Sequence, residues 1–300
     1  MIFNTFFIIF LSFLPAIFWF WFLIVFQKEI KTVSFKLLAK LFLVGLALAG
    51  LAMLIEGEMS KFIPLDYLLF LKESPFTINY WGLGFIFVLT FILIAPLEES
   101  LKYLFLKREI YKRKEINLSI FGVQLGIILG LGFATFENAF YFFRDPQVFE
   151  GVFLSRFFLS TLAHILYGGI MGYYLSLAKF HKLYQNFFLR KGLTTTILLH
   201  GFFNFSLLTQ AFYYTIGITI LIFFVLMKWM IDRRDFETII LKGESPTSAP
   251  IFSQKQEIDT FLIKKNLSYK EIKMLSFCPK CLAIKKIDQK VCPYCGMRFN

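Results

Sequence analysis

Long apolar stretches separated by short polar ones occupy most of this chain. A hydrocarbon core about 30 Å thick takes about 20 mainly apolar residues per helical crossing. Thr5–Phe26, Leu37–Ile55, Tyr80–Leu106, Leu118–Phe143, Arg156–Lys179, Leu193–Gln210 and Ala211–Met230 meet that requirement. The pattern predicts an all-α polytopic membrane protein with about seven transmembrane helices. Only Thr209 and Gln210 separate the last two spans. Glu56–Asn79 is expected as an outside loop, and its apolar patch Leu65–Leu71 is too short to cross and belongs at the interface.

The positions of lysine and arginine set the orientation. Lys28, Lys31 and Lys36 follow the first span, Lys107, Arg108, Lys112, Arg113 and Lys114 the third, and Lys179, Lys182, Arg190 and Lys191 the fifth. The alternate loops are poorer, with Lys61 and Lys72 in one and Arg144 and Arg156 around the other. Every second loop is basic, which predicts an outside N-terminus and a cytoplasmic tail. The N-terminus lacks the positive stretch of a secretory signal, so the first span is read as retained.

Composition narrows the class without changing it. Of the 300 residues 57% are hydrophobic and 20% aromatic, which excludes an ordinary soluble domain. The formal charge of +12 lies mainly between apolar segments and in the tail, where it reports orientation in the lipid bilayer rather than a polyanion partner.

The tail divides the chain into three. Residues 1–231 form the transmembrane helical domain, residues 232–276 a cytoplasmic linker with a short helix, and residues 277–300 a small zinc ribbon. Ser268-Tyr269-Lys270-Glu271 has the form of a capping box and opens the short helix. Cys278, Cys281, Cys292 and Cys295 form two CxxC knuckles, the arrangement of a closed structural zinc site, and a reducing cytoplasm disfavours disulfides between them. The ribbon would serve a cytoplasmic partner, protein or nucleic acid.

Against this background a few ionisable residues stand out. Each costs about 2.5–3.5 kcal/mol at mid-bilayer, so their clustering calls for a reason. Glu98 and Lys102 are four residues apart and Glu99 and Lys102 three, so on a helix one ammonium serves both carboxylates. In the fourth span Gly122, Gly126 and Gly130 form a small-residue ladder that permits close helix approach, and Glu137 follows it. The fifth span holds His164, with Gly168, Gly169 and Gly172 after it. The sixth places His200 and Asn204 on one face. The first, second and seventh spans are expected only to pack, Lys40 and Lys228 lying near enough to the cytoplasmic ends to snorkel.

Glu98, Glu99, Lys102, Glu137, His164, His200 and Asn204 together suit peptide-bond hydrolysis. A glutamate held among charges of both signs can take a proton from water, and a histidine beside an amide can stabilise the resulting oxyanion. Two glutamates and two histidines can instead hold a metal ion that activates the water. A non-enzymatic scaffold, its polar cluster structural and its ribbon recruiting a partner, is the alternative. A proton-coupled transporter ranks lower, because no inverted copy of the spans is detectable.

At these residues the chain resembles the PrsW family of intramembrane proteases, relatives of the CAAX prenyl endopeptidases. The matching motifs are EExxK at Glu98 to Lys102, FxxxE at Phe133 to Glu137 and HxxxN at His200 to Asn204, with His164 and Gly168 similar to the family's additional histidine segment. The resemblance implies an endopeptidase that cuts a membrane protein substrate, such as an anti-sigma factor, in a bacterial plasma membrane. It makes Glu98 the general base, with Glu99 and Lys102 fixing its charge and position. It assigns Glu137 and His164 to water or a second metal, and His200 with Asn204 to the oxyanion. The CAAX relatives look instead like EExxxR and FxxxH, which this chain lacks at Tyr103 and Glu137.

Overall fold

The computed structural model describes residues 5–26, 34–62, 80–113, 116, 119–144, 153–180, 185–209, 211–241, 276–277, 284–285 and 298. Helices α1 (Thr5–Phe26) and α2 (Phe35–Ser60) come first. A long rod follows, made of α3 (Tyr80–Phe87), a π-helical segment (Val88–Ile94) and α4 (Ala95–Lys112). Then come α5 (Ser119–Arg144), a π-helical turn (Arg156–Ser160) running into α6 (Thr161–Phe180), α7 (Gln185–Leu208) and α8 (Phe212–Leu241). Four rods among the described residues are long and apolar enough to cross a membrane, namely Phe35–Ser60, Trp81–Lys112, Ser119–Arg144 and Phe153–Phe180. Phe6–Phe22 and Tyr213–Lys228 are shorter apolar helical stretches.

Two differences from expectation concern helix ends. The last helix continues through Asp232 and Arg233 to Leu241. More consequentially, α2 runs on to Ser60, so Glu56 belongs to a helix and not to an outside loop. The apolar patch Leu65–Leu71, the short helix at Ser268 and all four cysteines lie outside the described residues. In the tail, β1 (Ser276–Phe277) pairs antiparallel with β2 (Ile284–Lys285), and the segment joining them carries the first CxxC in sequence.

Helix α5 is the central element, with 89% of its apolar window buried against 22% for that of α2. It packs antiparallel on α6 through facing small residues, Gly122 beside Gly172, Gly126 beside Gly168 and Gly130 beside the His164 carbonyl. A methyl group at Gly126 would collide with the Gly168 carbonyl, so the backbones touch and the register is set. On its other side α5 meets α2, where Gly132 abuts the Phe42 carbonyl and Gly50 the Phe136 ring. Helix α2 runs parallel to α5 and antiparallel to α4, which it meets at the Lys40–Glu109 ion pair, 2.8 Å. Lys179 closes the end of α4 by donating to the carbonyls of Ile110, Arg113 and Ile116, groups a helix terminus leaves unpaired.

Both π-helical segments have local causes or consequences. Pro96 has no N–H to give the carbonyl one turn back, and its ring would crowd that carbonyl in a regular α-helix. The widened turns of Val88–Ile94 directly precede it. At the second segment the Thr161 N–H and hydroxyl both bond the Arg156 carbonyl, and Trp19 of α1 donates to the Phe157 carbonyl at 3.3 Å. Large apolar side chains such as Phe6, Leu43, Trp81, Ile92, Leu104 and Leu221 face outward, the surface a lipid environment favours.

Candidate functional site

Four rods deliver the ionisable residues to one place. Helix α4 carries Glu98, Glu99 and Lys102 on successive turns, α5 carries Glu137, α6 carries His164 and α7 carries His200, and all six residues are buried. The glycine contacts explain why α5 and α6 meet at this level. With Gly130 against the His164 backbone, the next turns of α5 bring Glu137 alongside the His164 ring, whose Nε2 lies 2.8 Å from Glu137 Oε2.

Lys102 sits at the centre. Its ammonium reaches Glu99 Oε1 at 2.8 Å, Glu98 Oε2 at 3.3 Å and His164 Nδ1 at 3.2 Å, using all three of its donors. The Phe133 ring lies 3.7 Å away, a cation–π contact that completes the cage. An ammonium only donates, so His164 Nδ1 accepts and Nε2 carries the proton given to Glu137. Both ring nitrogens of His164 are therefore in use.

His200 is arranged differently. Its Nδ1 lies 2.9 Å from Glu99 Oε1, and since a carboxylate only accepts, Nδ1 carries the proton. In the neutral ring that leaves the Nε2 lone pair facing Glu98 Oε2, 3.9 Å away and beyond direct hydrogen-bond distance. The Tyr167 ring stacks on His200 with centroids 5.4 Å apart and fixes its plane. Glu99 Oε2 is buried with no hydrogen-bond partner.

Asn204 does not join this network. It lies one turn beyond His200 on the same helix, half-buried, and no described residue bonds its amide. One residue that the sequence leaves outside the site does join it. Arg156, expected only as a charge marking the outer boundary, donates to Glu137 Oε2 at 2.8 Å and to Asn138 Oδ1 at 2.9 Å. Glu56, on a helix expected only to pack, has a buried Oε1 without a hydrogen-bond partner. No motif flagged either one.

Two groups offer one ligand atom per residue within 4.8 Å of each other, Glu98 with Glu99 and His200, and Glu98 with Glu137 and His164. The first fits a divalent ion better, because the His200 Nε2 lone pair and Glu99 Oε2 are uncommitted whereas both His164 nitrogens are bonded.

A sequence model of the PrsW family of intramembrane metalloproteases matches residues 33–230. The chain belongs to the PrsW family. Protease PrsW of Clostridioides difficile (strain 630) is 30% identical over 203 residues, 67% of this chain and 78% of that relative. Protease PrsW of Shouchella clausii is 33% identical over 151 residues, 50% of this chain and 69% of the relative, and that of Bacillus subtilis (strain 168) 34% over 146 residues, 48% and 63%. No solved structure matches the chain. A PrsW-family chain with this apolar helical body is a membrane protease, a peptide hydrolase.

Proposed function

We propose that this PrsW-family chain is an endopeptidase that cuts a membrane-embedded protein such as an anti-sigma factor, using water activated between Glu98 and His200. The observation that supports it is the juxtaposition of Glu98 Oε2 and His200 Nε2, buried and 3.9 Å apart, with the unpartnered Oε2 of Glu99 on the neighbouring residue. Water in that gap gives its proton to Glu98 as its oxygen attacks the scissile carbonyl. The proton then passes from Glu98 to the leaving amine as the C–N bond breaks. Lys102 and Glu99 hold Glu98 and His200 in place, and Glu137 holds His164 against Lys102.

The Asn204 amide, on the face of α7 that carries His200, is the donor for the oxyanion once substrate is present. A divalent ion held by Glu98, Glu99 and His200 would supply Lewis-acid polarisation of the water and the carbonyl.

The seven-span topology belongs to the same proposal, with the N-terminus outside and the C-terminus cytoplasmic, in a bacterial plasma membrane. Residues 1–231 are the protease domain, 232–276 a linker and 277–300 a ribbon. Cys278, Cys281, Cys292 and Cys295 hold a structural zinc, and the ribbon recruits substrate or a cytoplasmic partner.

Co-expression with a tagged single-span substrate tests the central point. Glu98→Gln and His200→Ala are each expected to abolish cleavage while the protein accumulates normally. Wild-type cleavage by either variant would remove the assignment.

A further inference from the structure

Arg156 is the part of the cluster that no motif assigns. It occupies the first position of the π-helical turn, just before α6, and its guanidinium is largely buried. Three separate contacts hold the side chain. Nη2 donates to Glu137 Oε2 at 2.8 Å, Nε donates to Asn138 Oδ1 at 2.9 Å, and the guanidinium lies over the Tyr141 ring, 4.1 Å from its centroid. The backbone is tied as well. Asn138 Nδ2 donates to Thr161 Oγ1 at 3.1 Å, and that hydroxyl donates to the Arg156 carbonyl at 2.8 Å. Side chain and backbone of Arg156 are thus locked to α5 through one asparagine.

The guanidinium and His164 both bond the same oxygen of Glu137, Oε2. From there an unbroken line of hydrogen bonds leads inward: Glu137 to His164, His164 to Lys102, Lys102 to Glu99, and Glu99 to His200. An anion anchored by a fixed guanidinium holds its neighbour's tautomer and orientation, as outer carboxylates do for histidines in metal sites. Arg156 opens a π-helical turn, a feature often found at functional sites.

We propose that Arg156 is a positioning residue for the protease reaction, anchoring Glu137 so that His164 and Lys102 keep Glu98 and His200 aligned. It touches neither the reacting water nor the scissile bond. The inference rests on the hydrolytic reading of the Glu98–His200 gap, and its test separates the two.

The test measures kcat and KM of full-length variants purified in detergent, on a tagged single-span membrane substrate that the wild-type chain cleaves. R156Q is expected to lower kcat about 10–100-fold with KM nearly unchanged, the usual cost of removing such an anchor. R156K keeps the charge at Glu137 but loses the forked geometry, and recovers part of the loss. Wild-type kcat in R156Q, or an R156K no better than R156Q, overturns the proposal. If R156Q fails to accumulate, Asn138→Ala removes the Nε bond and the Thr161 tie alone. A lowered kcat at unchanged KM then supports positioning, and wild-type kcat overturns it. Glu98→Gln assayed in parallel distinguishes the two ideas. Activity in Glu98→Gln sinks the hydrolytic reading, whereas an inactive Glu98→Gln beside a fully active R156Q sinks only the role of the arginine.

Discussion

His200 gives its Nδ1 proton to Glu99 Oε1 at 2.9 Å, and that bond decides which imidazole nitrogen faces Glu98. The consequence is chemical, since in the neutral ring this arrangement places a lone pair, and not a donor, at the Glu98 gap. Glu99→Gln keeps an acceptor oxygen between Lys102 and His200 but loses the charge that strengthens both bonds, so the tautomer is held less firmly. The cleavage rate is expected to fall about 10–100-fold, as for loss of other groups that orient a reactive histidine. An unchanged rate would show that the tautomer is set elsewhere.

Lys102 is buried beside Glu98 and Glu99. Lys102→Met leaves two carboxylates without their counter-ion and is expected to cost about 3–5 kcal/mol of stability. Adding Glu99→Gln to that variant should recover a part, because the pair acts as a unit. Unfolding of the purified variants in detergent measures both effects, and equal stability of Lys102→Met and wild type would contradict the network.

Gly126 and Gly168 press backbone to backbone, while nothing lies within 4 Å of a methyl placed on Gly217. Gly126→Leu is expected to destabilise by about 1–3 kcal/mol or more through overpacking, and to remove activity by separating Glu137 from His164. Gly217→Ala should be neutral or stabilise by about 0.5–1 kcal/mol through reduced backbone freedom. Thermal unfolding and substrate cleavage compare the two directly.

Metal content separates the two zinc proposals. A chain ending at Leu275 lacks all four cysteines. It is expected to keep one equivalent of divalent metal, with the full chain holding one more. His200→Ala in the shortened chain should remove the remaining equivalent, and a chelator should abolish cleavage until the ion is returned. Mass-spectrometric metal analysis reads each count, and a metal-free shortened chain that still cleaves would leave Glu98 as sole activator of the water.

Much of the helical layout was legible in the chain because apolar length and periodicity are local properties. Thr5–Phe26 is helical as read, and the stretches around Glu98, Glu137, His164 and His200 are helices that meet. The spacing of Glu98, Glu99 and Lys102 announced a shared ammonium because helix geometry alone puts those groups together. Arg156 was not legible for the opposite reason. As a cation near the end of an apolar run it looks like any boundary marker, and its partner Glu137 is on another helix. Glu56 reads as part of a loop because its acidic neighbourhood resembles the end of a span, whereas α2 continues to Ser60.

By itself the sequence determined that the body is apolar and helical, which residues carry charge into it, and which glycines permit contact, since each follows from residue type and short-range spacing. Tertiary structure alone decided that Lys102 joins α4 to α6, that Glu99 orients His200, and that Arg156 reaches Glu137. These are hydrogen bonds between helices far apart in the chain. Their geometry depends on rotation and depth of whole rods, which close glycine contacts help to set and which no local pattern encodes.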